Sequence, residues 1–207
     1  IEFSDFATES AFSGDVVTDF SGTAASDFGN RTTGGRRSAI RRGFGSRGTE
    51  SAVEAALRWL ANHQNRDGSW SFNHTPGDKC NDFADPGSVP TQGPSPKMGA
   101  TGLALLPFLA AGYTHMPAKG NKYEYVVRKG LAYLVNHMDR NTGKLYEPKG
   151  YWHYHMYSHG IATCALAEAY GMTQDPKLGV PAQKALNYIV TAQDPQSGGW
   201  LYEPKQG

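Results

Sequence analysis

The sequence predicts an all-α fold of two helical layers preceded by an irregular segment, and three observations carry that prediction. A six-residue pattern, Ala55-Ala56-Leu57-Arg58-Trp59-Leu60, returns as Lys129-Gly130-Leu131-Ala132-Tyr133-Leu134 and as Lys184-Ala185-Leu186-Asn187-Tyr188-Ile189. A glycine-bearing turn follows each copy at nearly the same distance. Between the copies lie stretches with almost no charge. Self-similarity at a fixed period is the signature of a repeat architecture.

Each copy of the pattern sits on an amphipathic run, at 52–63, 123–137 and 181–192, with apolar residues at helical spacing and charges opposite. Thr49 or Ser51 is placed to cap the first run, and Pro181 suits the first turn of the third.

The turns read Gln64-Asn65-Arg66-Asp67-Gly68-Ser69-Trp70, Met138-Asp139-Arg140-Asn141-Thr142-Gly143-Lys144-Leu145 and Gln193-Asp194-Pro195-Gln196-Ser197-Gly198-Gly199-Trp200. A glycine supplies the positive φ that reverses a chain after a helix. The aromatic at the end lays a large apolar face over the turn. The Gln amide can bond backbone groups left unpaired at a helix end. Trp59, Gln64, Gly68, Trp70, Tyr133, Gly143, Tyr188, Gln193, Gly198 and Trp200 are therefore read as structural repeat residues.

Met98–Tyr113 carries no charge and Met156–Gly171 only Glu168. A helix apolar nearly all round must be surrounded by protein. The order is thus outer helix, turn, inner helix, repeated: three outer helices and two inner ones over residues 49–207.

Residues 1–48 differ. Glu2, Asp5, Glu9, Asp15, Asp19 and Asp27 precede a stretch with Arg31, Arg36, Arg37, Arg41, Arg42 and Arg47, among Gly, Ser, Thr and scattered phenylalanines. No periodicity runs through them, so the expectation is an irregular segment, held by its phenylalanines against the helical body or another subunit. Guanidinium groups suit phosphate, but the arginines balance the acidic stretch before them and lack interleaved aromatics. With a formal net charge of +1, no nucleic acid partner is expected. The two cysteines, Cys80 and Cys164, are too few for a disulfide framework and read as free thiols. The longest apolar stretch is too short for a comfortable membrane span.

Ala56-x-x-Trp59-Leu60-x-x-x-Gln64-x-x-x-Gly68-x-Trp70 resembles the QW motif of squalene–hopene and oxidosqualene cyclases. It departs at the leading basic residue, where Ala55 stands; Lys129 and Lys184 occupy that place later. With phrases such as LALLPFLAAGYTH and MYSHGIATCALAEAYGMT, the chain looks most like the bacterial prenyltransferase/squalene-oxidase-repeat proteins of the terpenoid cyclase and protein prenyltransferase superfamily. The resemblance implies an α/α toroid, here incomplete.

Chemistry is harder to find. Squalene–hopene cyclases protonate substrate with an Asp-x-Asp-Asp motif, which does not occur here. Protein prenyltransferases hold zinc with Asp-x-Cys and a distant His. Asp78, Cys80 and His159 offer those ligand types, but the Asp-x-Cys pair lies in a loop well before an inner helix, so no cofactor is expected. The run Tyr151–His159 gathers aromatics and imidazoles where it enters an inner helix. His153, His155, Tyr157 and His159 are ligand-binding candidates there, the rival reading being that they cap and pack the helix end.

No catalytic residue is assigned. The expectation is a binding or scaffolding module whose partners are other protein chains or further residues of its own chain. The alternative is part of a terpenoid-cyclase-like or prenyltransferase-like enzyme with its catalytic residues beyond Gly207.

Overall fold

In a computed structural model of the chain, residues 28–31, 33–73, 96–147, 153 and 155–204 are described. Among them the secondary structure is entirely helical. A short 3-10 turn, Gly29–Arg31, leads into α1 (Thr33–Arg41). Then come α2 (Arg47–Asn62), α3 (Lys97–Ala110), α4 (Glu124–His137), α5 (His155–Thr173) and α6 (Pro176–Thr191). The helices α2, α4 and α6 are the outer layer, and α3 and α5 the inner one. The fold is all-α and of the α/α-toroid type.

The inner pair is the centre of the packing: α3 lies along α5, and α4 and α6 flank them. Small residues allow the close approach. A Cβ on Gly99 would fall 2.9 Å from the Ser158 hydroxyl, and one on Gly102 2.8 Å from the Ala162 backbone. The core then closes with Leu105, Phe108 and Leu109 of α3, Val127, Leu131 and Leu134 of α4, and Leu166 of α5, all fully buried. Burial of each such side chain contributes roughly 1.5–3 kcal/mol. Pro107 stands inside α3, where it removes one helical hydrogen bond. It lies one turn after exposed Leu103 and is itself exposed, so the carbonyl it fails to bond is near solvent.

Helix starts differ from the sequence expectation. Ser46, not Thr49 or Ser51, caps α2: its hydroxyl accepts from Thr49 N–H while Thr49 Oγ1 accepts from Ser46 N–H. This reciprocal pair satisfies two donors at once, which a lone cap cannot. The third outer helix starts five residues early, at Pro176, because Asp175 accepts from Lys177 N–H and Pro176 pre-sets φ at the first helical position. Pro181 is accordingly an interior residue of α6.

The stretch expected to be irregular contains α1. Its register comes from tertiary bonds, which leave no periodic trace in the sequence: Arg36 donates to the Ala111 carbonyl at the end of α3 and pairs with Glu50 of α2. Phe28 rests on Gly171 of α5, and Arg31 pairs with Glu168. Phe44, by contrast, is exposed. The other phenylalanines of the front segment lie outside the described residues. No described helix is long and apolar enough to cross a membrane.

Candidate functional site

The three glycine turns are copies of one device. In the first, Gln64 Nε2 donates to the Gly68 carbonyl at 3.0 Å, closing the turn, and to the Val126 carbonyl of α4 at 2.9 Å. Trp70 folds back, its indole N–H donating to the Leu60 carbonyl at 2.7 Å. The third turn repeats this: Gln193 Nε2 donates to Gly198 O at 2.7 Å and Trp200 Nε1 to Ile189 O at 2.8 Å. Aspartates organise all three from within, Asp67, Asp139 and Asp194 each accepting from a backbone N–H two residues on.

Each of the first two turns is covered by the next outer helix. Gly68 has φ +92° and faces α4 so closely that a Cβ would lie 2.4 Å from the Lys129 carbonyl oxygen. Gly143, at φ +79°, meets Lys184 of α6 in the same way, at the same 2.4 Å. The lysines reach back, Lys129 Nζ to Asn65 O at 3.5 Å and Lys184 Nζ to Arg140 O at 2.9 Å. The inner helices complete the clasp. Trp70 N–H donates to Thr101 Oγ1 at 3.0 Å, and Leu145 N–H to His159 Nδ1 at 3.1 Å.

His159 thus has a defined place. It is fully buried, receives Leu145 N–H on Nδ1 and sits 3.0 Å from the Ala185 carbonyl through Nε2. Those two bonds require the neutral tautomer with the proton on Nε2. Burial pushes its pKa down to about 4, against the smaller upward pull of the Ala185 carbonyl. Tyr188 meets its ring edge-on at 4.8 Å.

The other candidates of that run are dispersed. His155 is buried and stacked on Tyr146 at 4.2 Å, with the Glu203 carboxylate 3.7 Å from Nδ1. Tyr157 points the other way and is 60 % exposed. His153 is partly buried in a single 3-10 position just before α5. The helix therefore brings His155 and His159 to one buried face and leaves Tyr157 on another. Asp78 and Cys80 lie outside the described residues. Among the described residues no three His, Cys, Asp or Glu side chains gather as a metal set. Cys164 is an exposed free thiol.

Two concavities stand out among the described residues. One, of about 650 Å³, lies between α1 and α2 and is lined by Arg36, Arg41, Arg47, Glu50, Glu54 and Tyr113. Its carboxylates are engaged: Glu50 with Arg36, and Glu54 with Lys122, Tyr123 and Tyr113. Burial raises the Glu54 pKa, but the bonds from Lys122 and the tyrosines outweigh it and hold the carboxyl below its usual range.

The other, of about 540 Å³, is an apolar groove lined by Met156, Tyr157 and Gly160 of α5, Ile189 of α6, and Trp200, Leu201 and Tyr202 of the third turn. Of these, only Tyr157 was singled out from the sequence as a ligand candidate. A signal for the rest was present. Leu145-Tyr146-Glu147-Pro148 returns as Leu201-Tyr202-Glu203-Pro204. Each copy crosses the start of an inner helix, Glu147 Oε1 accepting from Met98 N–H and Tyr202 O from Met156 N–H.

Residues 38–171, more than half of the chain, match the family described as the squalene-hopene cyclase C-terminal domain. No curated protein and no solved structure matches the chain. The interlocked Gln-Gly-Trp turns, the alternating inner and outer helices and this match agree, and the chain belongs to the squalene-hopene cyclase C-terminal domain family.

Proposed function

We propose that this terpenoid-cyclase-like helical domain acts as a binding or scaffolding module, and that its binding surface is the α5–α6 end closed by the third turn. One observation carries the reading. The third turn has the Gln and Trp bonds of the first and the Asp bond common to all three, yet among the described residues no helix covers it. Trp70 of the first turn is 4 % exposed, and Trp200, its counterpart, is 50 % exposed. Tyr157, Leu201 and Tyr202, which line the apolar groove with it, are exposed as well. Contiguous exposed apolar surface of this kind marks an interaction site. The polar groups nearest to chemistry are meanwhile used in structure, His159 above all.

The test compares the chain with a Tyr157→Ser/Trp200→Ser variant in quantitative affinity purification, after both give the same thermal unfolding curve. The reading predicts specific partners that the variant loses. Partners retained equally by the variant would contradict it. The rival reading, a cyclase-like or prenyltransferase-like enzyme, draws on the family match, and turnover of an isoprenoid substrate by the chain would favour it.

A further inference from the structure

We infer that the concavity between α1 and α2 binds a phosphate monoester, its dianionic head between Arg41 and Arg47 and its carbon body against Ile40 and Tyr113. This goes beyond the binding reading above and uses none of the residues of the α5–α6 groove.

The link between the two helices builds the site. Gly43, at φ +87°, ends α1 with two bonds, its own N–H to the Ile40 carbonyl and the Phe44 N–H to the Ala39 carbonyl. That pair is the Schellman closure of a helix, and it needs the left-handed residue that glycine supplies. Ser46 then caps α2 through its reciprocal bonds with Thr49. The two caps fix where Arg41, the last residue of α1, and Arg47, the first of α2, leave the backbone. Both side chains line the same concavity of about 650 Å³, a size that suits a small molecule.

The charges lining it do not cancel. Arg36 is committed to Glu50 and to the Ala111 carbonyl. Glu54 is held by Lys122, Tyr123 and Tyr113. Each carboxylate therefore has its own cation, and Arg41 and Arg47 have no acidic partner among the described residues. Two uncommitted guanidinium groups match the charge of a phosphate monoester, about −1.5 to −2 at neutral pH. Their forked N–H donors suit its oxygens. Arg47 also stands in the first turn of α2, where the helix dipole favours an anion. Ser51, one turn on along the same face, adds a hydroxyl without a partner among the described residues.

The far end of the concavity limits the rest of the ligand. Glu54 lies two turns along α2 from Arg47, about 10 Å at 1.5 Å per residue. A second phosphate reaching that far would meet like charge. A neutral, hydroxyl-bearing body suits it, with Ile40 and Tyr113 as the apolar wall. A nucleic acid backbone needs a track of cations along many phosphates, and this concavity offers one position.

The probe is glycerol phosphate, titrated into the ¹⁵N-labelled full chain while the arginine Nε–H signals are followed. Arg41→Lys and Arg47→Lys identify the two signals by their loss. Both are expected to shift saturably with glycerol phosphate and to stay in place with glycerol. Arg41→Ala or Arg47→Ala should weaken binding by about tenfold or more, as for a lost hydrogen bond to a charged group. Arg47→Lys should weaken it about threefold, because an ammonium keeps the charge and loses the fork. Both arginines are exposed, so the thermal unfolding curves of the variants should match that of the parent chain. Co-sedimentation with phosphatidylcholine vesicles containing phosphatidic acid, lost in both alanine variants, would assign the head to a lipid. Binding of glycerol phosphate without co-sedimentation would assign it to a free ester. No saturable shift, an equal response to glycerol, or undiminished binding by both alanine variants overturns the inference. None of these results bears on Tyr157→Ser/Trp200→Ser, so the two readings stand or fall separately.

Discussion

His159 takes the N–H of Leu145 on one ring nitrogen while its other nitrogen meets Ala185, so a single imidazole ties the second turn to α5 and α6. Its neutral form is the one that fits. An unfolded histidine titrates near 6.5, and this one near 4. The unfolded chain therefore binds the extra proton first as pH falls. The stability His159 contributes is fully present above about pH 6.5 and is lost as pH drops toward about 4, a difference of about 3 kcal/mol at roughly 1.4 kcal/mol per unit. Urea denaturation between pH 7 and 4.5 should show that slope, and His159→Leu should flatten it. The variant should also lose about 2–4 kcal/mol at pH 7, because two buried backbone groups lose their partner.

Trp70 and Trp200 make the same indole-to-carbonyl bond, but only Trp70 is covered. Trp70→Ala should cost about 3–5 kcal/mol, the usual range for emptying an aromatic site in a core. Trp200→Ala should cost less than about 1 kcal/mol, as exposed positions do. Chemical denaturation of the two variants separates them.

Asp175 serves two elements at once. One oxygen caps α6 at Lys177 N–H and the other faces Nε2 of buried His115 at 2.9 Å. Burial lowers the His115 pKa and the Asp175 carboxylate opposes it. Asp175→Ala should destabilise the chain by about 2 kcal/mol, combining a lost cap with a lost buried partner. Asp175→Asn keeps a good cap and should recover roughly half of that, as read from the thermal unfolding midpoint.

The layers and the repeat were legible in the sequence because they are periodic: apolar spacing marks α2, α4 and α6, and absence of charge marks α3 and α5. Helix starts were less so. Ser46 and Asp175 act through local bonds that several nearby Ser, Thr or Pro residues imitate in sequence. α1 left no trace, since Arg36 finds Ala111 and Glu50 only after the chain folds. For the site, the sequence pointed to Tyr157 and to the turn residues but not to the groove between them. Its walls come from three elements, and the feature that makes it a site, a third turn without its covering helix, exists only by comparison with the first two in space.

The three turn glycines test most directly the claim that two clasps are closed and one is open. All three have positive φ, so alanine strains each backbone by a similar amount, about 1–2 kcal/mol. Among the described residues, only Gly68 and Gly143 face a carbonyl at 2.4 Å as well. Equilibrium denaturation of Gly68→Ala, Gly143→Ala and Gly198→Ala should give losses of about 4 kcal/mol or more for the first two and about 1–2 kcal/mol for the third. Equal losses at all three positions would contradict the account.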